Sequence, residues 1–251
     1  MKVAILGCGM SGLMAAWACH RRNVRFEIFA DRSLFPKSYG FAFLHSNCDM
    51  PLKVCQLKQM IVPPEVEITE ASKFYSLLVY GTEKLENSLT AAALHPDLTI
   101  WNIDEAAAFL FSQFAKQIQI KKLENLDGVI KFSESYDLIF STIPLDVLDK
   151  QGNYSYVQSF LTVQPSNDVR NIVFYNGGIS LADGVYRWGT LFGTYFEEGK
   201  KKTDISVKKV ITAENLPSVP ENVILCGRYG SWNKRVLLHD VYSLALEKLD
   251  G

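Results

Sequence analysis

With 251 residues, 48% of them hydrophobic, and a formal net charge of −1, the chain can bury one large core or two smaller ones. It lacks the clustered Lys and Arg of non-specific nucleic-acid binding, and its one triple basic run, Lys200-Lys201-Lys202, reads as a solvated turn. No apolar run approaches the roughly 18 residues of a membrane span, and five cysteines without C-x-x-C spacing read as reduced thiols of a cytoplasmic protein. A strand starting at residue 2 predicts no leader ahead of it.

That strand, residues 2–6, is a short apolar run. It enters Gly7-Cys8-Gly9-Met10-Ser11-Gly12 and then residues 13–19, rich in helix formers. Residues 24–29 alternate as a strand, and Asp31 closes the unit, with Arg32 opening the next loop. Strand, G-x-G-x-x-G, helix, strand and acid together make a dinucleotide-binding βαβ unit. Gly7 allows the tight turn, Gly9 lets a pyrophosphate reach the backbone, and Gly12 lets the helix pack close to the sheet. Met10 and Ser11 open the helix, whose free N–H groups and positive dipole end suit phosphate. Ala30 occupies the place where the ribose-binding acid is expected. Asp31, one place late, is the candidate, with a water or backbone contact as the alternative.

Further along, 32–38 is a loop and 39–47 a short apolar segment ending in polar groups. Residues 54–62 suggest a strand, 69–80 a helix, and 83–94 a short helix or loop. A clearer helix spans 104–116, with Asp104 as its N-cap. Strands over 117–123 and 129–132 are expected to form a hairpin about Asp127-Gly128. A buried strand at 136–142 stops at Pro144. Strand-like runs at 154–164, 170–175 and 185–196, separated by Asn176-Gly177-Gly178 and Ala182-Asp183-Gly184, predict an antiparallel layer. A strand at 222–226, a turn at 227–230 and an amphipathic helix at 236–249 end the chain.

Four stretches together resemble UDP-galactopyranose mutase and its relatives, within the FAD-binding group that includes the amine oxidases. They are the glycine loop; Tyr39-Gly40-Phe41-Ala42-Phe43-Leu44-His45-Ser46-Asn47; the strand running into Thr142-Ile143-Pro144-Leu145-Asp146; and Gly227-Arg228 with Trp232 and Leu237. Tyr186-Arg187 is a weaker match to a substrate-binding T-R pair. The chain departs from the family where Ala42 replaces a histidine beside the flavin and Ile143 a glycine. Residues 48–100 are too few for the mutases' helical insertion, which argues against mutase activity itself.

The resemblance implies an α/β fold: a Rossmann-like FAD-binding domain from 1–47, 101–150 and 221–251, interleaved with an antiparallel-sheet substrate region from 48–100 and 151–220. FAD, with NAD(P) as the runner-up, would contact Gly7, Gly9, Met10, Ser11, Gly12, Asp31, Arg32, Leu123 (through its backbone), Thr142, Pro144, Gly227, Arg228, Val236 and Leu237. His45 is the candidate for acid–base work, since its ordinary pKa is near 6.5, and Arg187 for clamping an anionic substrate; the bland readings are a structural histidine and a cross-strand ion pair. No spacing suits a metal, and nothing points to a nucleic acid or membrane. The expected activity is flavin redox chemistry on a small or nucleotide-type substrate. The alternatives are a non-redox mutase, a lyase or isomerase on a modified nucleotide or DNA base of the phage hypermodification type, or a non-catalytic FAD-bound protein.

Overall fold

The computed structural model describes residues 1–32, 43–57, 98–166, 177–181, 184–191, 193–199 and 205–251. In chain order the elements are β1 (Val3–Leu6), α1 (Met10–Arg21), β2 (Phe26–Ala30), β3 (Phe43–Leu44), β4 (Val54–Leu57), β5 (Leu98–Asn102) and α2 (Ile103–Phe114). A 3-10 turn (Ala115–Gln117) leads to β6 (Ile118–Ile120), α3 (Leu126–Ser133), β7 (Leu138–Ser141) and α4 (Leu145–Leu148). There follow β8 (Asn153–Pro165), β9 (Gly177–Leu181), β10 (Gly184–Leu191), β11 (Thr194–Gly199), β12 (Ile205–Glu214), β13 (Val223–Leu225) and α5 (Leu238–Asp250). They fall into two compact units, Met1–Lys37 with Ala106–Ser155 and Thr212–Gly251, and Ser38–Glu105 with Tyr156–Ile211.

The first unit is built on a parallel sheet of order β13-β7-β1-β2-β6. Every residue of β1 and β7 is buried, as expected of parallel strands covered on both faces. Eight successive residues of α1, Gly12 to Cys19, are buried, because the helix packs on the sheet and along α5. Trp17 meets Phe109 edge-on at 5.4 Å, and Phe26 meets Phe114 at 5.5 Å. A second cluster joins Leu6, Phe29, Val129, Ile139, Leu148 and Val223. Burial pushes the Cys19 and Cys226 thiols up to about 12, and none of the five cysteines is joined in a disulfide.

Several local readings need correction. The hairpin expected about Asp127-Gly128 is instead α3. Asn125 Oδ1 accepts a hydrogen bond from Gly128 N at 2.8 Å and so caps a helix whose Val129 fills the core. The cap of α2 is Asn102, whose Oδ1 accepts from Asp104 N (2.8 Å) and Glu105 N (3.4 Å), and not Asp104. Gly177 and Gly178 lie in β9 rather than in a turn.

The second unit holds an antiparallel three-stranded sheet, β3-β5-β4, and a five-stranded sheet of order β12-β8-β11-β10-β9. In the latter, β8, β11, β10 and β9 pair antiparallel in turn, so the expected antiparallel layer is present. The run expected as one strand over 185–196 is a hairpin, β10 and β11, turning at Gly193 with φ +74°. Strand β5 has no counterpart in the sequence reading. Segment 39–42, the end of the 54–62 run, the helix expected over 69–80, the helix or loop over 83–94, and the 170–175 run lie outside the described residues.

Ser141, at the end of β7, has a fully buried hydroxyl without a hydrogen-bond partner. Ser141→Ala removes this uncompensated group, and we expect unfolding in urea to show a gain of about 1 kcal/mol. A loss of stability would show that the hydroxyl is bonded after all.

Candidate functional site

The carboxyl ends of β1, β7 and β13 lie side by side, the end of an open parallel sheet at which ligands bind. There the chain leaves β1 through Gly7, whose φ of +109° favours glycine. A Cβ on Gly7 would fall 2.4 Å from Thr142 Oγ1, and one on Gly12 only 1.9 Å from the Gly7 carbonyl oxygen. Gly9 differs: a Cβ there would meet nothing within 4 Å, so the space beside it is open. Gly9 is the N-cap of α1, with no side-chain cap, and the first helical turn carries no acid. The N–H groups of this turn therefore lack intrahelical acceptors, and their positive end favours an anion.

The loop after β13 lies against the same turn. Gly227 adopts φ +77°, and a Cβ on it would fall 2.6 Å from Ser11 Oγ. Gly230 is equally confined, with the Cys226 and Ser141 carbonyl oxygens 2.2 and 2.8 Å from its would-be Cβ. The Gly227 carbonyl accepts from Ser231 N (2.9 Å) and Ser231 Oγ (2.8 Å), and Arg228 O from Asn233 N (3.0 Å). Trp232 is buried and donates its indole N–H to Ser155 O at 3.3 Å. On this anchored loop Arg228 Nε is buried with no hydrogen-bond partner. A guanidinium N–H suits a phosphate, and this one follows directly on the residue that meets Ser11 in the first turn of α1.

Thr142 donates from both N (2.8 Å) and Oγ1 (3.0 Å) to Leu6 O, and Pro144 is the N-cap of α4. Asp31 follows β2 and is exposed, 3.9 Å from Arg32 Nε. Cys8 Sγ donates to Arg32 O at 3.2 Å, tying the glycine turn to the end of β2. Glu27 is committed at the other end of the strand, where its carboxylate accepts from Tyr136 OH (2.8 Å) and Gln119 Nε2 (3.0 Å), with Lys2 Nζ 3.8 Å away. Those bonds, Tyr136 first, hold it below the usual glutamate range, while burial, followed by Glu27, pushes Tyr136 up to about 12. A broad depression over Lys2, Arg25, Glu27, Gln117 and Asp137 lies at these amino ends, away from the glycine turn.

Leu123 packs against the apolar cluster, so only its backbone is available to a ligand. Val236 and Leu237 precede α5, whose Asp240 carboxylate already accepts from Leu237 N at 2.7 Å. His45 and Arg187 belong to the second unit. His45 follows β3, its ring 4.9 Å from Phe43, and the turn behind it holds Cys48 and Asp49 at φ 48° and 58°. Arg187 on β10 is in register with Glu198 on β11 and Gly178 on β9. The first unit thus gathers Gly7, Gly9, Met10, Ser11, Gly12, Thr142, Pro144, Gly227 and Arg228. The sequence reading missed Cys8 and Gly230. Their only signals were the position of Cys8 inside the glycine motif and the spacing of Gly230 three residues after Gly227.

Among the described residues no group of three or more His, Cys, Asp or Glu could hold a metal, and no helix is long and apolar enough to cross a membrane.

No protein-family model and no curated protein matches the chain. Solved structures do. A flavin-dependent halogenase from Xanthomonas campestris aligns with TM-score 0.54 and 9% identity over 99% of this chain and 70% of that one. Reduced UDP-galactopyranose mutase aligns with TM-score 0.54 and 10% identity over 99% and 93%. CtdE in complex with FAD and substrate 4 aligns with TM-score 0.51 and 14% identity over 100% and 81%. At these identities the shared property is the fold, that of the Rossmann-like FAD-binding flavoproteins.

Proposed function

We propose that the chain is an FAD-dependent enzyme that holds the dinucleotide across the carboxyl ends of β2, β1, β7 and β13. The observation that carries this reading is Arg228: its buried Nε lacks a partner on a loop that Gly227 lays against the first turn of α1. A plain nicotinamide domain does not need that second cationic contact. Gly9 would leave room for the pyrophosphate, the N–H groups of Met10, Ser11 and Gly12 would donate to it, and Arg228 would neutralise it. Asp31 and Arg32 would hold the ribose, Leu123 would offer backbone groups to the adenine, and Pro144, Val236 and Leu237 would complete the cofactor contacts.

FAD bound there would supply electron and hydride chemistry that no side chain of the chain possesses. We assign the reaction to the oxidoreductase class, on a small or nucleotide-type substrate. His45 serves as the proton donor or acceptor, and Arg187 as the anion clamp. Five cysteines in the reduced form suit a cytoplasmic setting.

The test is direct. Purified protein titrated with FAD should gain bound-flavin absorbance, and Arg228→Ala should weaken that binding by about tenfold or more, the size of a lost charge-assisted hydrogen bond. A protein that stays colourless at saturating FAD rules the reading out. Anaerobic reduction of the bound flavin by a candidate substrate then checks the redox assignment.

A further inference from the structure

We infer that Thr142 is a positioning residue for the glycine turn, acting through the backbone of β1 rather than by touching the dinucleotide; the cofactor half of this inference rests on the FAD reading above. Three observations converge on its hydroxyl. First, Oγ1 donates its single hydrogen to Leu6 O at 3.0 Å, beside the 2.8 Å bond from Thr142 N to the same oxygen. A hydroxyl so committed has no donor left for a phosphate oxygen. Second, the same peptide group is fixed from the other side, because Gly7 N donates to Phe29 O at 2.7 Å. The Leu6–Gly7 peptide plane is therefore clamped by Thr142 at its oxygen and by β2 at its nitrogen, and this plane sets the direction in which the chain leaves the strand at φ +109°. Third, Oγ1 occupies the space a Gly7 side chain would fill, 2.4 Å from the would-be Cβ, and lies 3.3 Å from that of Gly12. The hydroxyl thus supports the turn from beneath, and its place can be taken neither by a larger methyl group nor by empty space without a shift of Gly7.

The chemistry separates three variants. Thr142→Ser keeps the donor and the small oxygen. Thr142→Val replaces the oxygen by a methyl group that cannot bond Leu6 O and presses on Gly7. Thr142→Ala leaves the space vacant. In FAD titrations of the whole protein, Thr142→Ser should bind within about threefold of the parent, and Thr142→Val should bind about tenfold more weakly, the size of one net hydrogen bond. Thr142→Ala should fall between them. Amide hydrogen exchange on the protein without added FAD gives the second readout. Exchange should rise in Thr142→Val over residues 7–13 and stay at the parent level over β2 and β13, with Thr142→Ser unchanged throughout. If the parent binds no FAD yet this local pattern appears, the FAD reading fails and the role of Thr142 stands. Equal behaviour of Val and parent in both measurements overturns the inference. So does a Ser variant as impaired as Val, or exchange that rises evenly across the parallel sheet, which would mark Thr142 as an ordinary packing residue.

Discussion

Gly12→Ala is expected to cost about 3 kcal/mol or more of stability and to eliminate flavin binding, whereas Gly9→Ala should leave stability unchanged and weaken flavin binding alone. The difference is steric. A Cβ on Gly12 would lie 1.9 Å from the Gly7 carbonyl oxygen and 2.9 Å from its carbon, both backbone atoms that no rotamer change can move. Either α1 lifts from the sheet or the turn opens, and α1 is packed on β1, β2 and α5. Overpacking of this kind costs 1–3 kcal/mol in a side-chain core, and backbone contacts relax less readily. Gly9, by contrast, has an extended backbone and open space where its Cβ would go. Alanine fits there until a pyrophosphate approaches. Urea unfolding and FAD titration of both variants read the two effects separately. A Gly9→Ala protein that binds FAD as tightly as the parent would show that the phosphates do not pass over this residue.

The second large effect lies in the antiparallel sheet. Glu198 Oε1 accepts from Ser159 Oγ at 2.5 Å and from Lys209 Nζ at 2.9 Å, and the two charged side chains are only 5% and 11% exposed. Lys209→Met takes a cation from a buried carboxylate, and we expect it to destabilise the protein by about 3 kcal/mol. The double variant Lys209→Met with Glu198→Leu should recover much of that loss, because it removes both charges together and leaves Ser159 the Val207 carbonyl, 3.4 Å away, as acceptor. Equal losses in the single and double variants would mean that side-chain packing, and not the ion pair, sets the cost. Arg187 stands in register with Glu198, so the pair also bears on the clamp proposed for the substrate. Its loss should disturb binding of an anionic substrate more than binding of FAD.

Much of the parallel-sheet unit was legible in the residues. Three signals lie within one stretch of 30: the apolar run of β1, the glycine spacing and the alternating β2. Each acts over a few residues, so local geometry alone specifies them. The strand before Thr142 and the closing helix were legible for the same reason, within a residue or two at their ends. Asp127-Gly128 was not. A D-G pair flanked by apolar runs serves a hairpin and a helix start equally well in isolation. What decides between them is that β6 pairs parallel to β2, which no tight hairpin can provide, and that Asn125 is placed to cap. The Gly193 turn lay inside a strand-like run rich in aromatic and aliphatic residues, and β5, only five residues long, is too short to show a period in isolation.

The site divides along the same line. The sequence by itself determined that Gly7, Gly9 and Gly12 form a turn at a strand end and that a helix starts there without an acidic first turn, because backbone freedom and helix polarity are properties of neighbouring residues. Only the tertiary structure decided that Thr142 lies beneath that turn, 136 residues from the Leu6 carbonyl it bonds, and that Gly227 touches Ser11 so that Arg228 arrives with a buried, unpartnered nitrogen. It decided equally that Glu27 is consumed by Tyr136 and Gln119 at the amino end of β2, whereas Asp31 lies at its carboxyl end. Contacts of that range depend on strand order, and strand order is set by how the apolar faces of the helices and the sheet cover one another, a property of the whole core that no single stretch of the chain contains.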